Sequence, residues 1–98
     1  MIPYTPHTRD LTNPVYVCLG ETFREARKRS HRSVKYLAKM LECATSTVYN
    51  FEYGKTTMSI EVYEYYCSLL GLDPDKTLLD AYHKAYLGLK RYADHPND

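Results

Sequence analysis

Two short amphipathic patterns between residues 33 and 54 constrain the fold of this chain more than any other feature. The first spans residues 34–41 and repeats apolar side chains at the spacing of one helix face. The second spans residues 45–53 and follows the first after three intervening residues. Its predicted inward positions are Val48, Phe51 and Glu52, and its predicted outward positions are Thr45, Ser46, Tyr49 and Asn50. The stretch therefore predicts two short helices joined by a tight turn, the second with a polar outer face.

This layout is that of a DNA-reading helix-turn-helix, and the residues around it resemble the lambda-repressor-like (XRE) family. The matching positions are Phe23, Arg27, Leu37-Ala38, Ser46-Thr47-Val48, Glu52, Gly54-Lys55, Ser59-Ile60 and Leu69-Leu70-Gly71-Leu72. The resemblance covers residues 19–72. It implies an all-α, five-helix DNA-binding domain that acts as a transcriptional regulator, a repressor in the first instance, of bacterial or phage origin.

In this resemblance, the helix at residues 45–53 lies in the major groove of double-stranded DNA. Asn50 is its most informative position, because an asparagine can bond to both N6 and N7 of adenine. Ser33 and Lys35 would contact phosphate at the start of the preceding helix, and Lys55 would contact the backbone further along. The predicted DNA-binding residues are Ser33, Lys35, Thr45, Ser46, Thr47, Tyr49, Asn50 and Lys55.

Three positions depart from the family pattern. Val34 stands where the family often has a phosphate-binding glutamine, and Glu42 replaces the usual glycine of the turn. A left-handed backbone is therefore expected at a residue other than glycine. Ala44 stands where a capping Ser or Thr is common, which either moves the helix cap to Thr45 or leaves the cap absent.

The resemblance also implies an ion pair between Arg27 and Glu52, and we interpret both residues as structural. The run Arg27, Lys28, Arg29 and Arg32 has two interpretations that remain open. It complements the negative end of the first helix dipole, and it can also form an edge that contacts phosphate.

Charge is divided unevenly along the chain. Residues 1–41 carry a net charge of +5 and residues 42–98 carry −4, although the whole chain is +1. A basic N-terminal half indicates a polyanion on one side of the molecule, whereas a solvated run of charge is the simpler alternative.

The residues before the motif are predicted to form an extended arm over 1–18, followed by a first helix from Glu21 to Ser30. Within the arm, residues 15–19 are expected either to form a short strand or to pack on the core. Arg9 would enter the minor groove if the arm binds DNA, but a disordered or core-packed arm is the favoured interpretation.

The residues after the motif are predicted to form two helices. Ser59 caps a helix over 60–70 that ends at Gly71, with Val62, Tyr65 or Tyr66, and Leu69 on its apolar face. Asp73-Pro74 then opens a fifth helix within the segment 73–93, ahead of a polar tail at 94–98. In that helix Leu78, Tyr82, Ala85, Leu89 and Tyr92 follow heptad-like spacing, and Leu79 and Tyr86 widen the stripe. The stripe is either a homodimer interface or a face that packs on its own domain.

Other functional classes find little support in the sequence. Three cysteines without a C-x-x-C pair indicate a reducing compartment, and we expect a cytoplasmic protein with no membrane segment. Four scattered histidines and the lack of a glycine-rich phosphate loop predict no enzyme, no cofactor and no metal site. The alternative function is an antitoxin-like protein-interaction module. Its surface would be the tyrosines Tyr36, Tyr49, Tyr53, Tyr63, Tyr65 and Tyr66.

Overall fold

The computed structural model describes residues 13–94, with side chains up to residue 87. Within that range the chain forms five α-helices and no strand. They are α1 Pro14–Arg29, α2 Val34–Leu41, α3 Thr45–Glu52, α4 Ile60–Leu70 and α5 Pro74–Asp94. The predicted all-α, five-helix fold is confirmed. Most of the predicted arm, including Arg9, lies outside the described residues.

The first helix begins seven residues earlier than predicted. Of the two alternatives for residues 15–19, the short strand is therefore wrong, and packing on the core is confirmed, since Leu19 is buried and Val15, Tyr16 and Cys18 pack against the core. Asn13 is the N-cap of α1, and its side-chain oxygen accepts a hydrogen bond from the Val15 amide at 2.8 Å. Pro14 occupies the first helical position, where a missing N–H costs nothing. The Asn-Pro pair is therefore a helix start, and the β-branched residues after it are helical because the helix packs on the core.

Local signals set the other helix ends. Ser33 caps α2 and Ser59 caps α4, each by accepting a hydrogen bond from the amide three residues on. Gly71 ends α4 in the left-handed conformation, with φ 71°. Asp73 accepts a hydrogen bond from the Asp75 amide at 3.1 Å and so begins α5. These caps were predicted, apart from that of Ser33.

All five helices contribute buried residues to one core. Phe23 and Tyr66 are fully buried, and their rings stack with centroids 4.2 Å apart. On α4 the buried residues are Tyr63, Tyr66, Cys67 and Leu70, so the predicted apolar face is rotated by about one position. Apolar and aromatic residues surround most of α4, and tertiary packing rather than periodicity selects the inner face. Two tyrosines assigned to a partner-binding surface, Tyr63 and Tyr66, are therefore core residues.

Two glycines let α1 approach the C-terminal end of α3 at backbone distance. A Cβ atom at Gly20 would lie 2.3 Å from the carbonyl oxygen of Glu52. Gly54 has φ 71°, and a Cβ atom there would lie 2.7 Å from the Cα of Val17. Neither position has room for a side chain, so the two glycines fix how closely α3 sits on α1.

The fifth helix packs mainly on α1, which corrects the predicted interface stripe. Thr77, Ala81 and Ala85 are buried in the chain's own core, and Leu78 is partly buried against it. Ala85 is therefore not available to a partner. The exposed apolar residues of α5 are instead Leu79, Tyr82, Tyr86 and Leu87. Leu89 and Tyr92 lie beyond the described side chains. None of the described helices is long and apolar enough to cross a membrane.

Candidate nucleic-acid interface

The turn between α2 and α3 is built on a left-handed residue. Glu42 has φ 56° and ψ 49°, as predicted from its position in place of a glycine. Its amide donates to the carbonyl of Lys39, and the next amide, that of Cys43, donates to the carbonyl of Ala38 at 2.9 Å. These two bonds close the end of α2 and reverse the chain into α3.

Helix α3 has sharply different inner and outer faces. Val48 is fully buried, and Phe51 and Glu52 are 8% and 3% exposed. The outer face carries four exposed side chains, and Thr47 lies between the two faces, half-buried. The exposed ones are Thr45, Ser46, Tyr49 and Asn50. The inner and outer positions agree with those predicted from the pattern.

The N-terminus of α3 has no side-chain cap. Ala44 is the N-cap residue and makes no side-chain hydrogen bond, although its carbonyl accepts from the amides of Thr47 and Val48. Thr45 is the first helical residue and its hydroxyl is not used as a cap. Since Thr45 and Ser46 begin the helix, their amides have no carbonyl one turn before them, and this end of α3 is suited to an anion.

A buried ion pair ties the end of α3 to α1. Arg27 donates two hydrogen bonds to Glu52, from Nε to Oε2 at 2.6 Å and from Nη2 to Oε1 at 3.1 Å. The two side chains are 13% and 1% exposed. The hydrogen bonds to Glu52 raise the pKa of Arg27, and burial opposes this rise. The pair occupies Arg27 inside the domain, so this arginine belongs to the fold rather than to the outer surface.

Cations flank α3 rather than lying on it. Lys55 follows the C-cap, where its amide donates to the carbonyl of Asn50 at 2.9 Å and its Nζ lies 5.7 Å from the centroid of the Tyr53 ring. Before α2, the Arg32 guanidinium lies 4.7 Å from the centroid of the Tyr36 ring. Both arrangements are cation–π contacts, which position the charges while leaving them at the surface.

The start of α2 presents Ser33 and Lys35, both exposed. Ser33 is the N-cap, since its oxygen accepts from the Tyr36 amide at 2.9 Å. Its hydroxyl proton is still available to an acceptor. The predicted set thus falls into three groups: the start of α2, the outer face of α3, and Lys55 just beyond it.

Sequence reasoning missed the glycine contacts that seat α3. The available signal was Gly20, a glycine inside a helical pattern, which often marks a close approach of two backbones. No group of three or more His, Cys, Asp or Glu side chains among the described residues is placed to hold a metal ion.

Two solved structures are similar to this fold. The clp gene regulator ClgR from Corynebacterium glutamicum shares 20% identity and superposes with a TM-score of 0.70, over 84% of this chain and 87% of that one. The restriction-modification controller protein C.AhdI from Aeromonas hydrophila shares 25% identity with a TM-score of 0.57, over 64% of this chain and 94% of that one. No curated protein sequence matches.

A family described as a helix-turn-helix domain matches residues 19–79, which is more than half of the chain. The match includes all of α2, α3 and α4, together with the ion pair that holds α3. The resemblance found in the sequence is thereby confirmed, and the chain belongs to the helix-turn-helix family of DNA-binding transcription regulators.

Proposed function

We propose that this regulator is a cytoplasmic, dimeric repressor that binds a short operator and reads its bases with α3. The observation that supports this most directly is the outer face of α3. Four polar side chains project there from a helix whose inner face is buried and bonded to α1. A rigid helix with a polar outer face has the geometry that major-groove reading needs.

Each group of exposed residues has a distinct role in this proposal. Asn50 pairs with adenine through N6 and N7, and the hydroxyls of Thr45 and Ser46 bond to base edges or nearby phosphates. Ser33 and Lys35 hold a phosphate at the start of α2, and Lys55 holds the backbone beyond α3. The phosphate contacts set the position of α3, and the base contacts supply the sequence preference.

The exposed stripe of α5 supplies the proposed dimer contact. Leu79, Tyr82 and Tyr86 lie three and four residues apart on one helix face and are each more than half exposed. Tyr82 also lines an apolar groove of about 250 Å³ that includes Ile60, which is 68% exposed. A second copy that covers this stripe would place two α3 helices on successive half-sites.

A titration tests the proposal directly. We would measure fluorescence anisotropy of DNA taken from upstream of the protein's own gene, against a scrambled duplex, at several salt concentrations. The Asn50→Ala variant should weaken binding to the real sequence by roughly 5- to 150-fold, because a bidentate base contact is lost. Ser68→Ala is the matched control, since Ser68 is exposed on α4 and bonds only to its own helix. Equal affinity for both duplexes, unchanged by Asn50→Ala, would contradict the proposal.

A protein-interaction role is the second candidate, and exposed aromatic rings favour it. Tyr49 and Tyr53 are 45% and 52% exposed on the outer side of α3, and α3 itself carries no Lys or Arg. Salt dependence distinguishes the two roles. DNA binding weakens steeply as salt rises, whereas an aromatic protein interface does not.

A further inference from the structure

We propose that the operator half-site is built from A·T pairs at the positions that α3 contacts. This inference rests on the proposed reading of DNA by α3, and it names the class of sequence that α3 can read. It follows from the amide and apolar groups that the outer face of α3 presents and from the charged groups that this face lacks.

Recognition of a G·C pair in the major groove requires particular side chains. Guanine offers O6 and N7 to an arginine or a lysine, and cytosine offers its N4 amino group to a carboxylate. Helix α3, with the sequence TSTVYNFE, contains no arginine or lysine, and its only carboxylate is that of Glu52. Glu52 points inward, is 3% exposed and accepts two hydrogen bonds from Arg27. The outer face of α3 therefore lacks every charged group that reads G·C.

Two neighbouring cations, Lys55 and Arg32, lie outside α3 in the chain. Lys55 lies beyond the C-cap and over the Tyr53 ring, and Arg32 lies before α2 and over the Tyr36 ring. Arg27 is taken up by its ion pair. A charge placed just beyond a reading helix, as Lys55 is, matches the phosphates that border the groove rather than the base edges at its centre.

The groups that α3 does expose match A·T pairs. Asn50 has the amide that bonds to adenine N6 and N7. The methyl group of Thr45 and the ring of Tyr49 are apolar surface of the kind that contacts the thymine 5-methyl group. Ser46 bonds to either kind of pair and adds no preference. Adenine thus has a bidentate partner on this face and thymine an apolar one, whereas guanine and cytosine have only hydroxyls and single hydrogen bonds to the Asn50 amide.

Selection from random duplexes tests the inference. The full-length protein should enrich half-sites in which the contacted pairs are A·T. In the enriched site, replacement of each contacted deoxythymidine by deoxyuridine removes only the methyl group and should weaken binding by about 4-fold per methyl. Deoxythymidines outside the contacted pairs provide the matched control, and their replacement should leave the affinity unchanged.

The Asn50→Arg variant gives an independent readout. Asn50 is exposed and outside the core, so this variant should fold normally. Because arginine reads guanine, selection with the variant should convert one position per half-site from A·T to G·C and leave the others unchanged.

The possible failures are distinguishable. Enriched sites with G·C at the contacted pairs, or affinity that is indifferent to uracil, would overturn the inference while leaving sequence-specific binding intact. Failure to enrich any sequence would overturn the proposed base reading, and this inference with it.

Discussion

Replacement of Gly20 by alanine sets intrinsic helix propensity against tertiary packing. Alanine is favoured over glycine inside a helix by about 1 kcal/mol, so α1 alone would gain from the change. In the folded domain the new Cβ would lie 2.3 Å from the Glu52 carbonyl oxygen and 2.6 Å from that of Phe51. Both are backbone atoms, which cannot rotate away, so α1 and α3 must separate. Overpacking costs about 1–3 kcal/mol, and contacts this short against backbone atoms lie at the upper end of that range, so after the gain in helix propensity we expect a net loss of about 2 kcal/mol.

Urea unfolding followed by circular dichroism measures this balance. Gly20→Ala should lower the midpoint without changing the slope, because the same surface is exposed on unfolding. Gly71→Ala is the matched control: no atom lies within 4 Å of its Cβ position, and only the cost of φ 71° remains, about 1 kcal/mol. DNA affinity should fall only for Gly20→Ala, since only that change displaces α3. A Gly20→Ala protein as stable as wild type, or more stable, would refute the close seating of α3 on α1.

Three further predictions concern groups buried in the core. Tyr66→Phe should keep or raise stability, by up to about 1 kcal/mol, because its buried hydroxyl has no hydrogen-bond partner among the described residues. Tyr63→Phe should lower stability by about 0.5–1.5 kcal/mol, because its hydroxyl donates to the Pro74 carbonyl at 2.7 Å. Arg27→Met should cost about 3–5 kcal/mol by stranding the Glu52 carboxylate, and adding Glu52→Leu should restore most of the loss. A fourth prediction concerns pH: burial raises the pKa of both tyrosines above the ordinary 10.0, so the unfolded chain loses these protons first. Stability should therefore fall as pH rises past 10, by up to about 1.4 kcal/mol per pH unit for each tyrosine.

Urea unfolding checks all three, and each has a clear contrary result. Equal losses for Tyr66→Phe and Tyr63→Phe would show that both hydroxyls are bonded. A double variant at residues 27 and 52 that is no more stable than Arg27→Met would show that the cost lies in packing rather than in a stranded charge. For the alkaline fall, the Tyr66→Phe protein should show a shallower slope than wild type, because one of the groups with a raised pKa is removed. A wild-type stability that stays constant above pH 10 would show that these hydroxyls reach solvent.

Local chemistry carried most of the successful predictions from sequence. The bounds of α2 and α3, the cap at Ser59 and the start of α5 at Asp73-Pro74 each depend on residues within one turn of the helix end. The left-handed turn at Glu42 was also predicted, because Glu42 stands where the resembling family usually has a glycine. In the candidate interface, the outer residues of α3 were found because its inner residues are apolar and regularly spaced.

The remaining features depend on contacts between distant parts of the chain. The run Val15-Tyr16-Val17 has strand propensity, yet it is helical because α1 packs on α3 and α5. In α5, Ala81 and Ala85 face the core and Tyr82 and Tyr86 face outward. A prediction that buries the largest apolar side chains would give the opposite arrangement. Small residues let α5 approach α1 closely, a choice that hydrophobic spacing alone does not reveal.

The two faces of α3 have a consequence for how such a regulator diversifies. Everything that holds the helix in place lies on the inner side, in Val48, Phe51, the Glu52 ion pair and the seat at Gly20. The outer side chains contribute almost nothing to stability, so they can mutate without passing through an unfolded intermediate. A duplicated gene could thus acquire a new operator by two or three changes on one helix face, while its fold stays the same.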